Sequence, residues 1–225
     1  MKFSFLITFY FTTAVVLIIS LLGLPFKYTK FIFFVLFFTR NMTVILKMFG
    51  INIEVINSDF AHKKGYLYAS KHQSMFETIY FNELFYNPAY ILKKELLNIP
   101  LFGTYLKKLG MIAIDRKQGI HSLRYVNQQT AEYLDYRPVI IFPEGTRTTF
   151  KDKPDLKPGI YSMYKSLNKP VVPIALNSGK FWPKNNKIHR GSITVEFKQP
   201  IPPGLSKQEF LNKLKMEINS LNHLE

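Results

Sequence analysis

GYLYASKHQSMFETIYFNELF, residues 65–85, changes character twice within one short stretch. Residues 65–70 are an apolar run of strand length, residues 71–74 are a polar break, and residues 74–85 read as a helix. The same alternation recurs downstream, where AYIL (89–92), MIAI (111–114), VIIF (139–142), VVPIAL (171–176) and SITVEF (192–197) are further strands. Helical stretches are read at 101–109, 120–136, 159–167 and 206–224. Strands that are apolar throughout are buried on both faces. The sequence therefore predicts an α/β class with a mostly parallel or mixed central sheet flanked by helices. KDKPDLKP (151–158) reads as an exposed loop. In such sheets ligands gather beyond the carboxyl ends of the strands.

Upstream, residues 3–26 carry no charge, and as a helix they would extend about 36 Å, enough to cross the hydrocarbon layer. The run exceeds the apolar core of a secretory signal, and no small-residue cleavage site follows it. Gly23-Leu24-Pro25 breaks the helix, and a second apolar stretch follows, with Lys27, Lys30, Arg40 and Lys47 in or beside it. As a spanning hairpin this would put Lys27 and Lys30 at the far mouth, against the positive-inside tendency. Monotopic insertion is thus favoured, with basic groups at anionic headgroups and Phe and Leu in the acyl layer. The predicted organisation is an N-terminal membrane-associated two-helix element, 1–52, and an α/β domain, 53–225.

Thirty Lys and Arg against 15 Asp and Glu give a formal charge of +15, and every carboxylate lies from Glu54 onward. That balance suits anionic partners. Nucleic acid is not expected among them, because the basic residues are dispersed and the apolar start has no part in such binding. The chain has no Cys, which excludes a disulfide scaffold, a thiol nucleophile and a thiolate metal site. Its five His form no recognisable ligand set, so neither a metal nor a resident cofactor is expected.

Two patches directly follow strands. In the first, KHQSMFE (71–77), His72 and Glu77 would point about 140° apart on one regular helix. If His72 precedes the helix and Glu77 lies in its first turn, the carboxylate can fold back onto one ring nitrogen. The other nitrogen is then free to take a hydroxyl proton. Ser74 reads as a helix cap. The spacing alone is common by accident, and the second patch, FPEGTR (142–147), adds weight. It offers a Gly that permits close backbone approach, a hydroxyl, and a guanidinium suited to phosphate oxygens. Lys93 after AYIL and Arg116 after MIAID would bring further positive charge to the same sheet edge.

KHQSMFE (71–77), GMIAIDR (110–116), FPEGTR (142–147) and VPI (172–174) together resemble the four ordered blocks of the glycerolipid acyltransferases. The resemblance is nearest to the branch that acylates 1-acyl-sn-glycerol-3-phosphate, and the hydrophobic two-helix start is similar too. It implies that His72 is the general base on the free glycerol hydroxyl and that Glu77 orients it. It also implies that Lys93, Arg116 and Arg147 hold the acceptor's phosphate, while Glu144, Gly145 and Thr146 belong to the acceptor site. The acyl donor would be a thioester of acyl-carrier protein or CoA, the acceptor lysophosphatidic acid and the product phosphatidic acid. Other partners would be membrane phospholipids, and the location the cytoplasmic face of a bacterial inner membrane. The family's usual block ends in Asp, where this chain has Glu77. Rival expectations are a different acceptor, glycerol-3-phosphate or a lyso-aminolipid, and a non-catalytic basic membrane-binding protein.

Overall fold

The computed structural model describes residues 2–21, 28–85, 87–185 and 187–222; the Gly23-Leu24-Pro25 break and Lys27 lie outside them. The elements in chain order begin with α1 (Lys2–Leu21), α2 (Tyr28–Met48), β1 (Ile51–Ile56), β2 (Leu67–Ser70), α3 (Phe76–Phe85) and β3 (Ala89–Lys93). There follow α4 (Phe102–Lys108), β4 (Ile112–Ile114), α5 (Gly119–Leu134), β5 (Val139–Ile141) and α6 (Gly159–Leu167). The chain continues through β6 (Val171–Leu176), α7 (Ser178–Phe181), β7 (Gly191–Phe197) and α8 (Lys207–Ile218).

The seven strands form one sheet in the order β1-β7-β6-β2-β5-β3-β4. β6, β2, β5, β3 and β4 pair in parallel, whereas β7 is antiparallel to β6 and β1 is parallel to β7. The sheet is therefore mixed. Five adjacent strands end on one edge, and the last two begin there.

Alternation along each strand divides the core in two. Tyr68, Tyr90, Ile140, Val172 and Ile174 join the cluster that includes Phe5, Met42, Leu46, Phe81 and Phe85 of α1, α2 and α3. Leu67, Ala69, Ala89, Val139 and Val171 face Val126, Ile160, Met163, Phe210 and Leu214 of α5, α6 and α8. α8 starts with a capping box: Ser206 Oγ accepts from Glu209 N–H, and Glu209 Oε2 accepts from Ser206 N–H.

The boundary expected between 52 and 53 falls inside β1, whose pairing with β7 begins at Ile51 opposite Gly191. Asn52 and Glu54 interrupt the apolar run there. That alternation is what an edge strand with one wet face requires, and the sheet accordingly starts at Ile51. The two helices before it rest on the α/β body. Phe5 and Phe9 meet the buried Trp182 edge-on, with ring centroids 5.4 and 5.1 Å away. Phe5 also packs edge-on against Phe49 at 5.2 Å, and Thr43 Oγ1 donates to Glu83 Oε2 of α3 at 2.9 Å. Among the described residues, no helix is long and apolar enough to cross a membrane. The outer side of α1 nonetheless exposes Phe3, Ile7, Tyr10, Phe11 and Ile18.

Trp182 is thus the seat of α1. Replacing it, Trp182→Ala, is expected to cost about 3–5 kcal/mol in chemical denaturation and to make α1 protease-sensitive.

Candidate active site

The parallel part of the sheet decides which residues can meet. β2, β5, β3 and β4 are consecutive neighbours, so the segments that follow them line a single edge: 71–75, 142–148, Lys93 with Lys94, and 115–118.

At the centre of that edge His72 precedes α3, and Glu77 is the second residue of the helix. Glu77 folds back, and its Oε1 lies 3.1 Å from His72 Nδ1. The same oxygen accepts the N–H groups of Gln73 and Ser74, and Oε2 accepts the Ser178 hydroxyl at 2.9 Å. An ionised carboxylate only accepts, so Nδ1 carries the proton of this pair and Nε2 is left as the acceptor. Glu77 is fully buried, while the His72 side chain is 15 % exposed. The imidazole lies flat on Phe142, with centroids 4.0 Å apart and planes 19° apart, and Tyr90 stacks behind Phe142 at 6.2 Å. The carboxylate fixes the ring's tautomer and the stack fixes its plane. The longer Glu side chain therefore reaches the ring without difficulty, and Ser74 does act at the helix start, its Oγ accepting from Phe76 N–H at 3.1 Å.

Beneath the ring lies a second buried carboxylate. Glu144 Oε2 accepts the backbone N–H of His72 at 2.8 Å, and Oε1 accepts from the ammonium of Lys71 at 2.5 Å and from the Thr148 hydroxyl at 3.1 Å. Both oxygens are engaged and the residue is only 2 % exposed. Glu144 thus holds the loop that carries His72. Lys71 is fully buried as well; burial pushes its ammonium below the usual lysine range, opposed by the adjacent Glu144.

Arg116 and Gly145, predicted separately, do come together. Arg116 Nη2 donates to Gly145 O at 2.9 Å, across the gap from the end of β4 to the end of β5. Gly145 has φ +70°, and an added Cβ would stand 2.8 Å from that same nitrogen. A side chain here would be both strained and in the way of the guanidinium. Lys94 pairs with Asp115 at 3.1 Å, and its hydrogen bond is the main reason the Asp115 carboxyl lies below the usual range. Lys93, by contrast, has no ion-pair partner among the described residues, and neither does Arg147. This favours Lys93 over its neighbour as a free cation at the rim. Lys93 and Thr146 are exposed and Arg147 is half-buried, all at the same edge.

Four contributors escaped sequence reasoning. Ser178 stands two residues past the last residue of β6, the neighbour of β2, so the strand-end rule would have reached it. Lys71 lies inside a quoted block but reads as one basic residue among many. Asn219 and Asn222, close to Lys71 and Gln73, give no local signal at all. Gly145→Ala is expected to lower unfolding free energy by about 1–2 kcal/mol in urea titration, from the left-handed backbone and the displaced Arg116.

Residues 52–177, more than half of the chain, match the Acyltransferase family. The 1-acyl-sn-glycerol-3-phosphate acyltransferase of Pseudomonas aeruginosa is 38% identical over 136 residues, which cover 60% of this chain and 53% of that protein. That of Helicobacter pylori is 41% identical over 114 residues, 48% of this chain and 45% of the relative. The chain thus spans about half the length of these two curated relatives. Among solved structures, the 1-acyl-sn-glycerophosphate (LPA) acyltransferase PlsC of Thermotoga maritima superposes with a TM-score of 0.79. The match covers 98% of this chain and 94% of that one at 18% identity, a likeness of fold. With the matched segment containing His72, Glu77, Arg116 and the FPEGTR turn in one edge, the chain belongs to the acyltransferase family.

Proposed function

We propose that the protein transfers a fatty acyl group from an acyl thioester, of carrier protein or CoA, to the sn-2 hydroxyl of 1-acyl-sn-glycerol-3-phosphate, giving phosphatidic acid. The observation that carries this reading is the His72 imidazole, with Nδ1 bound to a buried carboxylate and Nε2 free, beside the Arg116–Gly145 turn. The acceptor named for the Pseudomonas and Helicobacter relatives supports the choice of substrate.

In the proposed reaction, Nε2 takes the proton of the acceptor hydroxyl as its oxygen attacks the thioester carbonyl. The carbon–sulfur bond then breaks, the imidazolium returns the proton to the departing thiolate, and Glu77 stabilises the imidazolium between the two events. The nucleophile belongs to the substrate, which suits a chain without Cys. Lys93, Arg116 and Arg147 supply cations for the acceptor's phosphate. The steps draw only on protein groups and the two substrates.

The acceptor is a lipid, and the molecule has apolar surface to meet one. Besides the outer side of α1, Ile99, Leu101, Phe102 and Ile120 are exposed in segments that follow β3 and β4, near Lys93, Lys94 and Lys117. Leu101 has φ +60°, which a branched side chain seldom adopts. Exposed apolar residues among lysines fit the interface of an anionic leaflet. We propose that the protein rests on the cytoplasmic face of the membrane through α1, α2 and this rim.

Purified protein offered lysophosphatidic acid, glycerol-3-phosphate and lyso-aminolipids, each with carrier-protein and CoA donors, is expected to acylate lysophosphatidic acid fastest. Reaction with another acceptor and none with lysophosphatidic acid would refute the assignment. His72→Ala is expected to lower turnover at least about 10²-fold with lipid binding unchanged. Arg116→Ala should instead act mainly on the acceptor's KM, raising it about tenfold for the loss of one charged contact.

A further inference from the structure

Lys71 and Gln73, the two neighbours of His72, both reach the same remote turn. The Lys71 ammonium has three donors and three acceptors: Glu144 Oε1, the Asp152 carbonyl at 2.8 Å and Asn219 Oδ1 at 2.8 Å. Gln73 Nε2 lies 3.4 Å from Asn222 Oδ1, and its Oε1 accepts Gly179 N–H at 2.9 Å. Asn219 and Asn222 belong to the turn that ends α8, and Asn219 is 148 residues from Lys71 in sequence. That turn is itself oriented: Asn219 Nδ2 donates to Lys215 O at 2.6 Å, and Asn222 Nδ2 donates to Asn219 Oδ1 at 3.0 Å and to Asp152 O at 3.2 Å. The turn's own residues, Lys215, Asn219 and Asn222, lie outside residues 52–177, which define the family match.

We propose that Asn219 and Asn222 are positioning residues of the active site, and that the turn after α8 sets where the His72 imidazole stands. The path is continuous. Asn219 fixes the Lys71 ammonium, the ammonium fixes one oxygen of Glu144, and the other oxygen fixes the His72 amide. Asn222 steadies the far side through Gln73. Without Asn219 Oδ1, one ammonium proton loses its acceptor in a site with no exposed surface, so the ammonium and Glu144 must shift to compensate. The His72 amide follows Glu144. A general base needs its geometry more than its mere presence, so such a shift acts on turnover.

The proposal rests on His72 being the base of the proposed transfer, and two readouts on the full chain keep the claims separate. The first is hydrogen exchange of the His72 amide. In Asn219→Ala it is expected to quicken about tenfold or more, while Ile140 and Val172 in the sheet keep their rates. The second is kinetics per folded molecule: kcat should fall about 10- to 100-fold with the acceptor's KM unchanged, and Asn219→Asp, which keeps an oxygen for Lys71, should recover most of it. In a His72→Ala background, Asn219→Ala should change the residual rate no further. An unchanged His72 amide with unchanged kcat overturns the proposal, as does an equal loss of rate with and without His72, which is the mark of a purely structural turn. Quickened exchange in a protein that acylates no lysophosphatidic acid upholds the positioning and removes the substrate assignment instead.

Discussion

A carboxylate that never meets solvent stands between a buried ammonium and the backbone of His72. Taking Lys71 and Glu144 out of water is costly, and a buried ion pair can often be exchanged for apolar side chains with no loss of stability. Stability alone is therefore a poor reason for this pair to exist. What apolar side chains could not reproduce is the bond from Glu144 to the His72 amide, together with the spread of contacts from Lys71 to the 148–152 loop and to the end of α8. The pair acts as a joint, bringing the segments after β2, β5 and α8 to one point.

The joint works because of strand order. β2 lies inside the sheet between β6 and β5, so the loop that carries His72 has a strand end on either side. From β6 comes Ser178, which completes the donor set of Glu77; from β5 come Phe142, which carries the ring, and Glu144, which carries the amide. Further along the same edge, β3 and β4 contribute Lys93 and Arg116. His72 and these cations are thus laid out along one edge, as the proposed acceptor, a glycerol phosphate with a free hydroxyl, would need.

Much of this arrangement was legible from residues 65–85 outward, since buried parallel strands announce themselves by continuous apolar runs. β1 was missed for the opposite reason: as an edge strand it carries Asn52 and Glu54 on a wet side, which hides it after two long apolar helices. His72 and Glu77 were legible because both lie in a single block whose local folding brings them together. Glu144 was found for its motif but its partners were not, because sequence shows that a carboxylate follows a strand and not which way it turns. Lys71 with Asn219 was not legible at all: a contact across 148 residues leaves no periodicity and no motif.

Trp182 is the one tryptophan in the chain, and it is 1 % exposed beneath Phe5 and Phe9. The protein therefore carries its own optical label at the point where the first helix meets the body. Its emission colour reports how wet that contact is, with no dye attached. The same side chain stands four residues beyond Ser178, the hydroxyl that steadies Glu77, so a fluorimeter aimed at helix docking also looks at the segment next to the His72–Glu77 pair.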